Sequence, residues 1–129
     1  MGKFYDPRGP IEAYEFGKFI IRGEEHSDQE KGVGKDIRLI GDKVTRWKER
    51  KGHRLYPQMI TGVDQPGLEI LIIGTGHDAL LEVPKEVIDH IKQIGIHEVI
   101  CLSTMDACQM YNQLFHAGKK IALLAHGTC

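Results

Sequence analysis

The sequence predicts an α/β domain of three layers. It has a mixed sheet, with a C-terminal parallel βαβαβ unit joined by antiparallel strands from the N-terminal half. Two observations predict it. First, three almost continuous apolar runs, Leu68–Ile73, Val99–Leu102 and Ile121–Ala125, alternate with two stretches of helical periodicity. Strands covered on both faces read as such runs. Parallel neighbours also need helical crossovers, which are almost always right-handed. Second, charge is divided unevenly: residues 1–66 hold 13 basic and 11 acidic side chains, residues 67–129 only 4 and 7. The charge-poor half is the buried one. With 129 residues, 41% hydrophobic and 27% charged, the chain has the composition of one globular domain. The expected organisation is a flexible arm over residues 1–10 and one domain over 11–129.

The elements follow in order. Residues 1–10 contain two prolines and two glycines and read as a loose arm. Tyr14, Phe16, Phe19, Ile20 and Ile21 surround Gly17, which predicts two short strand pieces bent at the glycine. The polar stretch Glu24–Gly34 reads as a loop. Asp36–Ile40 alternates apolar and polar residues, as a half-buried strand does, and Gly41-Asp42-Lys43 turns the chain into a second strand, Val44–Trp47. Lys48–Arg54 is a charged loop, and Tyr56–Val63 holds one helical turn. After Leu68–Ile73, Pro84 suits the first position of a helix. Val87, Ile88, Ile91 and Ile94 then form one helical face, closed by Gly95. After Val99–Leu102, Ser103-Thr104-Met105-Asp106 resembles a capping box. The helix it opens runs to about Ala117, with Ala107, Met110, Tyr111 and Leu114 inward and Gly118 at its end.

Charge and composition exclude several function classes. Seventeen Lys and Arg against eighteen Asp and Glu leave a net charge of −1, without the basic excess of a nucleic-acid binder. Ile70–Ile73 and Ile121–Ala125 are far too short to span a membrane. The segment Met1–Asp6 has no apolar signal region, so the expected location is cytoplasmic. Three cysteines, Cys101, Cys108 and Cys129, cannot all pair within one chain and are expected as thiols. The helical pattern puts Cys108 on the apolar face as a small buried hydrophobe.

Several motifs bear on ligand chemistry. Gly74-Thr75-Gly76-His77-Asp78-Ala79 matches G-x-G-x-x-A after a strand, the pattern that brings backbone N–H groups to a pyrophosphate. The following helix starts late, at Pro84, and no acidic residue ends the next strand to hold a ribose. A dinucleotide is therefore not called for. A smaller anion site at the carboxyl edge of the sheet, or a simple tight turn, both fit. Ser103 and Thr104 lie at that edge too, either as anion ligands or as a helix cap. The candidate ligand set is Gly74, Thr75, Gly76, Ser103 and Thr104, with Tyr111 and Asn112 nearby. No catalytic constellation is present: seven histidines are scattered, and no nucleophile elbow occurs. His126-Gly127-Thr128-Cys129 offers only two zinc ligands, so no metal and no cofactor are expected.

The basic residues Lys43, Arg46, Lys48, Arg50, Lys51 and Arg54 enclose Trp47. Basic side chains interleaved with an aromatic suit phosphates or an acidic partner, while a solvated loop with one packing Trp is the more usual arrangement. Trp47, Arg46 and Lys48 are the candidate partner contacts. The acidic run Glu24–Glu30 either neutralises this stretch or faces the same partner.

Several pieces, taken in order, carry a resemblance. They are Tyr14-x-Phe16-Gly17, Ile21-x-Gly23, Asp36 through Trp47 and Ile72-x-Gly74-x-Gly76. Further on come Gly95-Ile96, Thr104-x-x-Ala107-x-x-x-Tyr111-Asn112 and His126-Gly127-Thr128-Cys129. From about Ile11 to Cys129 the chain resembles the Mth-type domain family of unknown function. The resemblance implies a compact three-layer α/β domain; it does not imply an enzyme, since better-known members act in regulation or in assembling other proteins. Two departures fall in the first half: Gly34-Lys35 stands where an aromatic is usual before Asp36, and the segment from His53 to Leu68 is short. The leading expectation is a non-catalytic protein-interaction or assembly module. The alternative is a small-ligand or anion-binding domain, possibly an enzyme, at the carboxyl edge. Neither the partner nor the oligomeric state is legible.

Overall fold

The structure, a computed structural model, describes residues 2–129. Nine strands and two α-helices follow in order, with a 3-10 turn at Pro57–Met59 between the sixth and seventh strands: β1 Lys3–Tyr5, β2 Ile11–Glu15, β3 Lys18–Ile21, β4 Glu24–Ser27, β5 Asp36–Ile40, β6 Lys43–Arg46, β7 Ile70–Gly74, α1 Lys85–Gln93, β8 Glu98–Leu102, α2 Thr104–His116 and β9 Ile121–His126. Strands β1 to β4 form an antiparallel sheet in sequence order. The central sheet has the order β6-β5-β9-β7-β8. Within it β7 pairs in parallel with both β8 and β9, and β5 joins antiparallel to β9. This is the mixed α/β architecture the apolar runs and helical faces predict.

Two segments differ from the sequence reading. Lys3–Tyr5, placed in the loose arm, is an edge strand in register with Ala13–Glu15. Glu24–Ser27, placed in a loop, pairs fully with Lys18–Ile21. Both are short strands on the rim of a sheet. Their residues lie in a half-exposed environment that tolerates polar side chains, so the apolar alternation that marks a strand is missing.

The connections put the helices on opposite faces of the central sheet. The chain leaves β7 outward to β8 through α1, then returns past β7 to β9 through α2. A constant crossover hand then requires opposite faces. The strands alternate accordingly. Leu71, Ile73, Ala122 and Leu124 bury against Val87 and Ile91 of α1. Ile70, Ile72, Leu123 and Ala125 bury against Ala107, Cys108 and Tyr111 of α2. Cys108 is fully buried, and burial pushes its thiol far above the ordinary range. The β1–β4 sheet shares the α2 core through Ile11, Tyr14, Phe19 and Ile21. Asn112 fastens the two: its Nδ2 donates to the Ile11 carbonyl at 2.8 Å and to Asp6 at 3.0 Å, and its Oδ1 accepts from the Ile11 N–H. No helix among the described residues is long and apolar enough to cross a membrane.

Candidate functional site

In open α/β sheets ligands bind beyond the carboxyl ends of the parallel strands. Here that edge carries Gly74, Leu102 and His126, together with the start of β5 at Asp36 and the end of β6 at Arg46.

Gly74, Thr75, Gly76, Ser103 and Thr104 do meet at this edge. Their hydrogen bonds run to one another and to the last residues of the chain. The Gly76 N–H donates to Thr104 Oγ1 at 2.9 Å, and that hydroxyl donates to the His126 carbonyl at 2.6 Å. Thr75 donates to the Leu102 carbonyl through both its N–H and its hydroxyl. The His77 N–H donates to the Thr128 carbonyl at 2.7 Å, and the Leu80 N–H donates to the Cys129 carbonyl. Gly76 has φ +105°, and a Cβ there would collide with the Cys129 carbonyl. Glycine lets the His126–Cys129 segment lie flat on this loop. The segment is held from the other side as well, since the Gly127 carbonyl accepts from the Gly17 N–H and the Tyr14 hydroxyl. Ser103 precedes α2 without a side-chain capping bond. The Thr75, Gly76, His77 and Thr104 N–H groups already have partners within the protein.

Tyr111 and Asn112 are not at this edge. The Tyr111 hydroxyl donates to the Gly41 carbonyl at 2.7 Å, at the opposite end of the sheet, and Asn112 holds the β1–β4 sheet. Helical spacing placed both on one helix with Thr104, but α2 carries them away from its N-terminus.

The other half of the edge is charged. His126 Nδ1 and Asp36 Oδ1 lie 2.6 Å apart across the β5–β9 pairing, with His126 2% exposed. Arg50 Nε stands 3.2 Å and Lys35 Nζ 3.6 Å from the other Asp36 oxygen. Arg50 Nε is buried and makes no well-aligned hydrogen bond, so its contact with Asp36 is Coulombic. Burial alone would raise the Asp36 pKa. The hydrogen bond with His126 and the nearby Arg50 and Lys35 charges outweigh it and hold the carboxyl below its usual value. Thr128 Oγ1 lies 3.4 Å from His126 Nε2 and completes the imidazole's surroundings. Sequence reasoning missed this pair. Its one signal was that a histidine ends the third apolar run while an aspartate begins the alternating strand; only the antiparallel register brings them opposite each other.

Beside the pair a cleft of about 310 Å³ opens to solvent. Asp28 and Glu30 line one part of it, and Lys35, Arg46, Lys48 and Arg50 another. The acidic and basic runs of the sequence thus meet in space. Among the described residues no carboxylate of Glu24–Glu30 lies within 4 Å of a cation of Lys43–Arg54. Arg46 and Lys48 are exposed, as a contact residue must be. Trp47 is not: it is 1% exposed, packs with Leu55, Ile60 and Val63, and donates Nε1–H to the Met59 carbonyl at 2.8 Å. The indole is the floor of the cleft. An aromatic inside a basic run looks the same in sequence whether it faces water or the core.

Behind the acidic side sits His26, 3% exposed. Its Nδ1 accepts from the Val33 N–H at 3.0 Å, while Nε2 has no partner. Desolvation holds its pKa below the ordinary value. Gly32, with φ +55°, is required here because a Cβ would strike the imidazole.

The family model described as "Protein of unknown function (DUF498/DUF598)" matches residues 11–126, nearly the whole chain. The chain belongs to the DUF498/DUF598 family. Its fold is similar to that of a conserved hypothetical protein from Pyrococcus horikoshii, with 24% identity, a TM-score of 0.72, and coverage of 92% of this chain and 98% of that one. A protein from Bartonella henselae, described as an outer membrane protein, is similar at 23% identity and TM-score 0.73, over 93% and 95% of the two chains. An NMR structure from Xanthomonas campestris is similar at 17% identity and TM-score 0.69, over 91% and 83%. At these identities the likeness establishes the fold of the DUF498/DUF598 chain.

Chemically, the DUF498/DUF598 chain presents a carboxylate–imidazole pair, its imidazole buried and its carboxylate half-buried, and an open cleft with both signs of charge. Among the described residues no group of three or more His, Cys, Asp or Glu side chains is arranged to hold a metal. His126 and Cys129 do not converge: the imidazole is turned to Asp36, while the Cys129 sulfur lies 3.5 Å from His53 Nε2.

Proposed function

We propose that this DUF498/DUF598 chain is an Mth-type protein-interaction and assembly module of the cytosol, without catalytic activity of its own. Its docking surface is the cleft beside the Asp36–His126 pair. The observation that carries this reading is the meeting of two oppositely charged runs across one cleft without pairing to each other. Unpaired surface charges of both signs favour a complementary partner and steer its approach. The partner is a polypeptide segment with acidic side chains against Arg46 and Lys48 and basic ones against Asp28 and Glu30. The Asp36–Arg50–His126 cluster keeps the base of the cleft rigid. The competing site, an anion at the Gly74–Gly76 loop, draws no support from N–H groups that already bond to Leu102, Thr104 and Thr128.

Tagged chain expressed at native level, with in-cell cross-linking and mass spectrometry, tests the reading. The expected result is a partner cross-linked through Lys35 or Lys48. It is lost from Arg46→Glu/Lys48→Glu and from Asp28→Lys/Glu30→Lys, and retained in Lys85→Glu on the far helix. A chain that stays alone at monomer mass, or partners indifferent to both charge reversals, overturns it.

A further inference from the structure

At the opposite, amino edge of the central sheet lies a second cavity, of about 350 Å³. This is within the size range of small-molecule sites. Its walls are apolar: Ile40 at the end of β5, Leu68 before β7, and Phe115 in the last turn of α2. All three are half-buried although they belong to the two hydrophobic cores. Polar groups stand at the mouth, where Gln65, Lys119 and Lys120 are exposed.

Three features make this a shaped site. Phe115 is held in place, because the Arg22 guanidinium lies over its ring at 5.7 Å while pairing with Asp42 at 3.5 Å. Gly41 and Gly118, both at positive φ, have nothing within 4 Å of a notional Cβ, so the backbone on two sides is open to a ligand. The Tyr111 hydroxyl ties the Gly41 carbonyl to α2, fixing that side of the cavity.

The charge at the mouth is positive. Lys119 and Lys120 have no carboxylate within 4 Å among the described residues. The nearby acids are engaged: Asp42 faces Arg22, and Glu69 accepts the Lys120 backbone N–H at 2.9 Å. The carbonyls ending α2 would oppose an anion. Three of them are occupied, however: those of Gln113, Leu114 and Phe115 accept from the N–H groups of Ala117, Gly118 and Lys119.

We infer that this cavity is a binding site for a small amphiphilic carboxylate: an apolar chain lies against Ile40, Leu68 and Phe115, and its anionic end meets Lys119 and Lys120. Burying the chain removes apolar wall and apolar ligand from water together. The lysines then select an acid over a neutral molecule of the same shape. The site is separate from the charged cleft, on the other edge of the sheet, so the two readings stand or fall apart.

Decanoate, with decanol as the neutral arm, tests this on the isotope-labelled full chain by amide chemical shifts. Saturable shifts with decanoate are expected at Gly41, Leu68, Phe115 and Gly118, and not at Arg46 or Lys48. Gln65→Trp, which places an indole in the mouth, abolishes them. Lys119→Glu/Lys120→Glu weakens decanoate about tenfold or more and leaves decanol unchanged. No saturable binding overturns the proposal. So does binding that survives Gln65→Trp, and so does decanoate binding indifferent to the lysine reversals. Unchanged spectra of the free variants away from the cavity show that they are folded.

Discussion

The two halves of the carboxyl edge are closed in different ways. Beyond β7 and β8 the edge is sealed by backbone: the His126–Cys129 segment lies on the Gly74–Gly76 loop, and N–H groups there meet carbonyls. Beyond β5 and β6 it is bounded by side chains, with His126 buried, Asp36 and Arg50 half-buried and Arg46 and Lys48 left in water. The Thr75, Gly76 and His77 N–H groups in this backbone seal offer no spare valence to a ligand. A mixed-charge rim does, because its groups are solvated and exchange water for a partner at small cost. Location at a functional edge is thus not enough; what matters is which donors and acceptors remain free.

The largest effect that sharpens this contrast comes from the floor of the open half. Trp47→Ala should destabilise the protein by about 3–5 kcal/mol in denaturant titration, since a fully packed indole leaves a cavity and orphans the Met59 carbonyl. Were Trp47 a surface contact, the loss would be a few tenths.

Next comes the sealed half. Thr104→Val keeps the shape but removes the hydroxyl shared by the Gly76 N–H and the His126 carbonyl, both buried. A loss of about 2–3 kcal/mol is expected, and Thr104→Ser should recover most of it. A silent Thr104→Val would mean that the seal is loose and the edge open.

Acid then separates the halves by charge. His26 has a folded pKa below its ordinary 6.5, so the unfolded chain binds the proton more readily. Stability is intact above pH 6.5 and falls as pH drops from there toward the folded value. Asp36 also has a folded pKa below its ordinary 3.8. Its contribution is complete above 3.8 and is lost as pH falls through the folded value. Melting temperatures should therefore decline in two stages on acidification, and Asp36→Asn should flatten the lower one. A melting temperature constant from pH 7 to 5 would contradict the neutral burial of His26.

The smallest effect is at the rim itself. Arg46→Glu/Lys48→Glu should change stability by less than about 0.5 kcal/mol, because both side chains are exposed and unpaired. A larger loss would make these residues part of the scaffold.

Much of this architecture was legible beforehand. The three apolar runs and two amphipathic helices recur at β7, β8, β9, α1 and α2 because burial on both faces leaves an unmistakable pattern. The rim strands β1 and β4 were not legible, since half-exposed pairing tolerates Lys3, Glu24 and Glu25. The candidate residues fared by the same physics. Thr104 and the glycines meet because they flank sequential elements. Tyr111 and Asn112 share a helix with Thr104, yet rise along it carries them off. The Asp36–His126 pair spans 90 residues and depends on antiparallel register, which no local signal encodes.

The clamp made by Asn112 has a consequence for how the molecule comes into being. It joins Asp6 and Ile11 to a helix 101 to 106 residues further along. Contacts of such separation carry the largest loop-closure entropy and form late. During synthesis the β1–β4 sheet emerges first, with Ile11, Tyr14 and Phe19 uncovered, and must wait for α2 before it has anything to pack on. The β1–β4 sheet, made before α2, is therefore completed only after it, and it spends the interval as a segment in need of protection from other chains.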